Sequence, residues 1–491
     1  MPVDPRTPVL ISAGQVNQYD ETESPDPVGL MAVAARAAAK SHVLEAVDSI
    51  RIVNMLSWRY RDPGLLLGSQ LNAAHFRTSY SGVGGNVPQS LVNQACLDIQ
   101  RGRADVVLIG GGERWRTRMR LRAGDRKPDW PQQDDTVPMA GGGGDSVPMA
   151  GPAEQRIELV RPAHVYPLFE QALRIAAGES SDHHRRRIGE LWSRFSAAAE
   201  RNPYAWSRKR LSADEIWQPA PTNRMISWPY TKLMNSNNMV DQAAVILLAS
   251  AEASTRLAVP RDQWVFPYAG TDSHDTYALG ERADYTGSPA IRVAGRRALE
   301  LAGCGTGDLD FVDIYSCFPS AVQVAAAELG LPLADPQRPL TVTGGLTFAG
   351  GPWNNYVTHS IGTMAERLIE KPGSLGLITA NGGYLTKHSI GIYGSRPPST
   401  EFRWEDVQSE VDRTPTRVAL EEWEGVGTLE TWTTPFDRNG QPEKVFVAVR
   451  TPGEARTLSM MTTPSDVEAS LTQDIAGAKV QVDANGSATL C

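Results

Sequence analysis

Two stretches of this chain are built to one plan. In the first, Gly84-Gly85-Asn86-Val87-Pro88 opens a helix, Arg101-Gly102 closes it, and an apolar strand, Val106-Val107-Leu108-Ile109, runs into Gly110-Gly111-Gly112. In the second, Gly350-Gly351-Pro352 opens a helix, Lys371-Pro372-Gly373 ends it, and a strand from Leu375 to Thr379 runs into Asn381-Gly382-Gly383. Strands that are apolar on both faces need helices on both sides, so the pattern predicts an α/β fold with largely parallel sheets. Two such units set back to back bring both glycine corners to a common axis. A ligand there faces two helix N-termini, which favour anions and developing negative charge.

Around these units the chain alternates strand and helix signals. Val9 to Ala13 reads as a buried strand, and a helix from Val28 to Lys40 starts at Asp26-Pro27, a cap followed by a first-turn proline. After Glu113 the composition changes. Arg114, Arg116, Arg118, Arg120, Arg122 and Arg126 precede a glycine-rich stretch in which Val-Pro-Met-Ala-Gly occurs at Val137 and again at Val147, read as a flexible loop. The expected domains are an N-terminal half (1–114 and 226–255), an inserted loop domain (115–225), a C-terminal half (256–396) and an additional domain (397–491). Short alternating strands such as Lys444 to Val449 make the last an OB-like β-barrel behind the linker Ser395-Arg396-Pro397-Pro398.

The balance of charge and the motif inventory remove several functions. A net charge of −8 argues against a general nucleic-acid binder. The N-terminus has no basic or apolar segment of a signal peptide, and the longest apolar run, Ala243 to Ala249, is too short to span a bilayer. Four scattered cysteines without Cys-x-x-Cys spacing fit a reducing compartment and no zinc site, so the expected location is the cytoplasm and the expected metal content is none. His183-His184 is the only adjacent histidine pair and reads as part of a basic surface run. A dinucleotide fingerprint at Gly110 fails because Trp115 stands where its third glycine is required.

The segment Gly102-Arg103-Ala104-Asp105, feeding a strand that ends in Gly110-Gly111-Gly112-Glu113, resembles the thiolase signature. Asp241-Gln242-Ala243-Ala244 is similar to the segment that re-enters the thiolase sheet after its loop domain. Asn223-Arg224-Met225 and Pro229-Tyr230-Thr231-Lys232-Leu233-Met234 resemble the sterol-carrier-protein thiolase branch. The resemblance covers roughly the first 395 residues and implies a duplicated five-layer αβαβα fold, homology to acetyl-CoA acetyltransferases, and coenzyme A or an acyl-CoA as ligand in lipid metabolism.

The same resemblance exposes what is missing. Counting back from Gly102 with the family spacing puts Gly85 where thiolases carry the nucleophilic cysteine. The histidine that activates it falls on Gly351, and the second cysteine falls near Thr379. The remaining family motif reads Tyr315-Ser316-Cys317-Phe318, as in thiolase-like aldolases that carry a tyrosine there and pair with a separate barrel domain. Tyr315 is therefore a candidate general acid or base for retro-aldol cleavage. Cys317 and His388 are weaker candidates, and His359 reads as structural. Amides at Gly85, Asn86, Asn381 and Gly382 could cradle a thioester oxygen, and Arg114, Arg116 and Arg185 could meet CoA phosphates. Three functions follow: a non-thiolytic acyl-CoA-binding protein, a carbon–carbon lyase using Tyr315, or a scaffold whose barrel recruits an enzyme of lipid breakdown. Thiolases dimerise through the strand equivalent to Phe76–Ser81. Here Arg77, Thr78 and Ser79 make it polar, which leaves monomer and homodimer both open.

Overall fold

The computed structural model describes residues 3–142, 147 and 149–491. The first unit runs through β1 (Pro8–Asn17), α1 (Pro27–Ala38), α2 (Ser41–Glu45), β2 (Ser49–Ile52), α3 (Pro63–Gln70), β3 (Arg77–Tyr80), α4 (Val87–Gln100) and β4 (Val106–Arg114). The Asp26 side chain caps α1 at the Gly29 amide, 2.9 Å away, with Pro27 in the first turn. The insertion contributes α5 (Trp115–Ala123), α6 (Pro152–Arg156), α7 (Pro162–Ala176), α8 (Ser181–Arg201), α9 (Ala213–Trp217), and two short strands, β5 (Met225–Trp228) and β6 (Tyr230–Thr231). Then β7 (Asp241–Ser250), buried along its whole length, and α10 (Ala251–Arg256) complete the unit.

The second unit repeats it as β8 (Phe266–His274), α11 (Pro289–Ala302), β9 (Phe311–Asp313), α12 (Pro319–Glu328), α13 (Gly345–Phe348), α14 (Tyr356–Glu370), β10 (Leu375–Gly382) and β11 (Lys387–Gly394), with β12 (Arg403–Asp406) added at one edge. The strand orders are β1-β7-β4-β2-β3 and β12-β8-β11-β10-β9. Helices α4 and α14 lie between the sheets and touch both, while α1 and α3 cover the outside of one and α11 the outside of the other. This is the five-layer αβαβα arrangement.

The sheets are mixed and not largely parallel. β7 and β11 each run antiparallel to both neighbours. The chain leaves at the C-terminal end of β4 and re-enters there through β7. The tight corner Gly383-Tyr384-Leu385-Thr386 between β10 and β11 likewise permits only antiparallel return.

The last domain holds α15 (Gln408–Val411), β13 (Ala419–Leu420), β14 (Gly425–Pro435), β15 (Val445–Arg450), β16 (Arg456–Met461), α16 (Pro464–Thr472), β17 (Lys479–Val482) and β18 (Ala488–Leu490). The described residues form a sheet ordered β13-β16-β15-β14-β17-β18, and the segment leading into β18 turns back onto β16, where the Met460 amide donates to the Gly486 carbonyl at 3.2 Å. It is extended by β5 and β6 of the insertion, and β14 pairs with β5 through Thr434 and Trp228. Trp432 is buried beneath α16, its indole N–H donating to the Ser470 carbonyl at 2.9 Å.

The first Val-Pro-Met-Ala-Gly copy, expected to be a flexible loop, is held at the edge of the first sheet. The Tyr80 amide donates to the Gly141 carbonyl at 2.8 Å, and the Ala140 amide to the Arg61 carbonyl at 3.0 Å. Part of the second copy lies outside the described residues. No helix among the described residues is long and apolar enough to cross a membrane.

Candidate functional site

The N-terminal corner of α4 meets the β10–β11 corner at the centre of the duplicated core. The Gly84 amide donates to Asn354 Oδ1 at 3.0 Å, and Asn354 Nδ2 to the Asn54 carbonyl at 2.9 Å, so the corner of one unit is pinned by the segment leading into α14 of the other. A Cβ built on Gly382 would lie 2.6 Å from Asn86 Oδ1 and 3.2 Å from the Gly85 nitrogen. Gly85, Asn86, Asn381 and Gly382 are thus brought together, as the glycine corners imply.

The space above Gly85 is taken. A Cβ there would collide with the Tyr315 hydroxyl and the Asn381 carbonyl, and would lie 2.8 Å from Tyr315 Cζ. Tyr315 follows β9. Its amide donates to Thr379 Oγ1 at 2.9 Å, and its ring stands edge-on to Tyr356, centroids 5.4 Å apart. Burial pushes its phenol well above the ordinary tyrosine range, and the hydroxyl finds no hydrogen-bond partner among the described residues. The position that the resemblance gives to the family histidine, Gly351, is equally full. A Cβ on Gly351 would collide with Ser236 Oγ and lie 3.2 Å from Asn238 Oδ1. Gly350, just before it, takes φ +107 and abuts Gln242, which admits only glycine.

The remaining candidates separate. Cys317 borders the centre: Asn381 Nδ2 lies 3.8 Å from its sulfur, and burial pushes the thiol up to about 12, leaving a protonated sulfur at neutral pH. Asn381 Nδ2 also donates to the Tyr166 hydroxyl at 2.9 Å, while its Oδ1 is buried without a partner. His388 faces away from α4. Ser389 and Tyr393 of the same strand meet Asn93 and Gln89 of α4, so strand alternation turns His388 to the outer side, 3.5 Å from Asp275. His359 is buried in α14 against Gln15 at 3.0 Å, and desolvation lowers its pKa to about 3.

The arginines expected to meet phosphates are occupied. Arg114 is fully buried, bonding the carbonyls of Pro25 and Thr22 at 2.9 and 2.6 Å, with Asp241 at 3.7 Å. Arg185 is buried between the rings of Trp217 and Trp228 and donates to the Trp217 carbonyl at 2.8 Å. Arg116 donates to the Tyr19 carbonyl at 3.0 Å and lies over Trp206. Each is held by segments distant in the chain, which a sequence of alternating arginines does not reveal. His184 corrects the surface reading of its segment. It is buried, with Glu170 at 2.5 Å on one ring nitrogen and Glu179 at 2.6 Å on the other, while His183 stays exposed.

Two groups near the centre escaped the sequence reading. Asp313, buried at the end of β9, accepts from Thr341 at 2.8 Å, Ser360 at 2.7 Å and Tyr356 at 3.0 Å, and so holds the ring that backs Tyr315. Lys387 opens β11, and its ammonium donates to the Val83 carbonyl at 2.6 Å. Pairing the β10–β11 hairpin on paper would have set Lys387 across from Gly382; the Asp313 cluster has no local signal.

Comparison with known proteins fits this geometry. Residues 406–487 match the family described as thiolase-like protein type 1 additional C-terminal domain, and residues 271–349 the thiolase C-terminal domain-like family. The crystal structure of a monomeric SCP2-thiolase like protein type 1 from Mycobacterium smegmatis superposes with a TM-score of 0.84 at 30% identity, covering 100% of both chains. The chain belongs to the SCP2-thiolase-like protein type 1 family. An acetyl-CoA acetyltransferase of Methanothermobacter thermautotrophicus is 25% identical over 211 residues, which is 40% of this SCP2-thiolase-like chain and about half (52%) of that relative. A solved Ltp2-ChsH2(DUF35) aldolase shares the fold at 18% identity and TM-score 0.59, covering 80% of this chain and 99% of its own. This SCP2-thiolase-like protein is thus homologous to acetyl-CoA acetyltransferases.

Proposed function

We propose that the protein binds coenzyme A thioesters without cleaving them by thiolysis. One observation carries this reading: the room for a nucleophilic side chain at Gly85 is filled by the Tyr315 phenol and the Asn381 carbonyl. What supports binding is the surviving backbone, since two glycine corners and a helix N-terminus can hold a thioester oxygen without a thiol. Calorimetry with CoA and acetyl-CoA, beside an acetoacetyl-CoA thiolysis assay, tests it. Micromolar binding with no turnover is expected; turnover above background, or no binding of either ligand, removes the proposal.

The unpartnered Tyr315 hydroxyl favours a second reading, retro-aldol cleavage of a 3-hydroxyacyl-CoA with the phenol as acid or base. An aldolase among the structures of this fold is consistent with it. Cleavage that falls at least a hundredfold in Tyr315→Phe is the expected result, and an unchanged rate excludes it. A purely recruiting role for the last domain is disfavoured by the β14–β5 pairing, which makes that domain part of the insertion's sheet. The Mycobacterium smegmatis relative is monomeric, and we extend that state to this chain.

A further inference from the structure

The second unit and the last domain enclose a cavity of about 500 Å³ between them. One wall is the segment from the end of β8 to the first turn of α11, with Tyr277 and Asp284 among its residues. The other is α15 and the turn after it, with Val411 and Asp412. Gln408 ties the walls together: its Oε1 accepts from the His274 amide at 2.7 Å, and its Nε2 donates to the His274 carbonyl at 3.0 Å. A void of this size at a seam between domains is where small ligands are commonly held.

The charges around it do not balance. The lining sets the carboxylates of Asp275, Glu281, Asp284 and Asp412 against the guanidinium groups of Arg282 and Arg292. Both cations are already engaged: Arg282 lies 3.4 Å from buried Asp275, and Arg292 3.0 Å from Glu328. Glu281, Asp284 and Asp412 are exposed, and none of them forms an ion pair among the described residues.

Other features of the lining suit an organic ligand. His274 and Tyr277, both half-buried, stand side by side with ring centroids 4.8 Å apart, and a tyrosine face attracts a cation. Arg282 is only 4% exposed, and its Nε is buried without a partner, a donor left over for an acceptor on the ligand. The carboxylates are spread around the void: among the described residues no group of three or more His, Cys, Asp or Glu side chains could hold a metal ion.

We infer that this cavity binds an organic cation of amino-acid to dipeptide size. Its ammonium or guanidinium group would sit among Glu281, Asp284, Asp412 and the Tyr277 ring, with a carboxylate or carbonyl oxygen at Arg282. The site is separate from the acyl-CoA reading and exists only where the last domain packs on the core.

Calorimetry on the full chain compares L-arginine with L-citrulline, which has nearly the same shape but a neutral urea in place of the guanidinium. Arginine is expected to bind about tenfold more tightly, with the gap narrowing as salt is added. In the double variant Glu281→Gln, Asp412→Asn the two affinities should converge, with that of citrulline unchanged. Should that variant not fold, as judged by its melting curve, Glu281→Gln alone decides, since this exposed carboxylate makes no side-chain hydrogen bond among the described residues; part of the preference should then be lost. Equal affinities in the wild type, or binding of neither compound, overturn the site. A preference that survives intact in the variant overturns it as well. None of these results bears on CoA binding, so the acyl-CoA reading stands or falls separately.

Discussion

At Gly85, where the resemblance places the thiolase nucleophile, adding a side chain is not a one-residue repair. In Gly85→Cys the new side chain meets the Tyr315 hydroxyl and the Asn381 carbonyl, one of them backbone and unable to step aside. Over-packing of this kind costs about 1–3 kcal/mol, so the variant should melt several degrees lower and still show no acetoacetyl-CoA thiolysis. Activity in that single variant would show that the pocket opens more easily than its packing implies. Glu113 offers a second prediction. Its carboxylate accepts from the amides of Leu56 and Ser57 at 2.7 and 2.8 Å, but burial outweighs them and raises the pKa from 4.5 to about 7. Between those values the unfolded chain loses its proton first, so the folded state binds more protons and stability falls as pH rises. The loss amounts to roughly 3 kcal/mol by pH 8. Urea midpoints at pH 5 and pH 8 should converge in Glu113→Gln relative to the wild type; an identical drop in both would assign the pH dependence elsewhere.

At the scale of elements, much of the architecture was legible because strand and helix periodicities differ and the caps are local. Asp26-Pro27 and the apolar Val106–Ile109 run need no distant partner to be read. The direction of β7 and β11 was not legible, since apolar strands look alike whichever way they run. The last domain also escaped: β14 is closed on one side by β5, a segment some two hundred residues earlier in the chain. That pairing, the Ser227–Thr433 hydroxyl contact at 2.6 Å and the buried Arg456, which donates to the Gly280 carbonyl at 3.1 Å, make the domain a structural partner of the insertion and the core. Deleting residues 399–491 should therefore leave a fragment that is cleaved readily by protease within α7 and the β5–β6 hairpin. A fragment 1–398 that melts at the wild-type temperature would return the domain to the role of a detachable recruiter.

For the whole molecule, the edge of the first sheet bears on the state of association. β3 is an edge strand carrying Arg77, Thr78 and Ser79, and the segment at Gly141–Gly142 lies against Ser79 and Tyr80. An edge that is polar and already covered is a poor template for a second chain. Light scattering behind size exclusion should give the monomer mass of 53.3 kDa at tens of micromolar; twice that mass would mean that the strap moves aside or that another face associates.

By itself the sequence determined the duplicated α/β core, the two glycine corners and the absence of sulfur and imidazole at Gly85 and Gly351, because each is written in a short run of neighbouring residues. Tertiary structure alone decided what fills those places. Tyr315 and Ser236 arrive from segments far from the glycines they cover, Lys387 reaches Val83 only through strand register, and Arg114 and Arg185 are drawn inward by partners distant in the chain. Contacts of that range follow from how the two sheets and the insertion close upon each other, which no local pattern encodes.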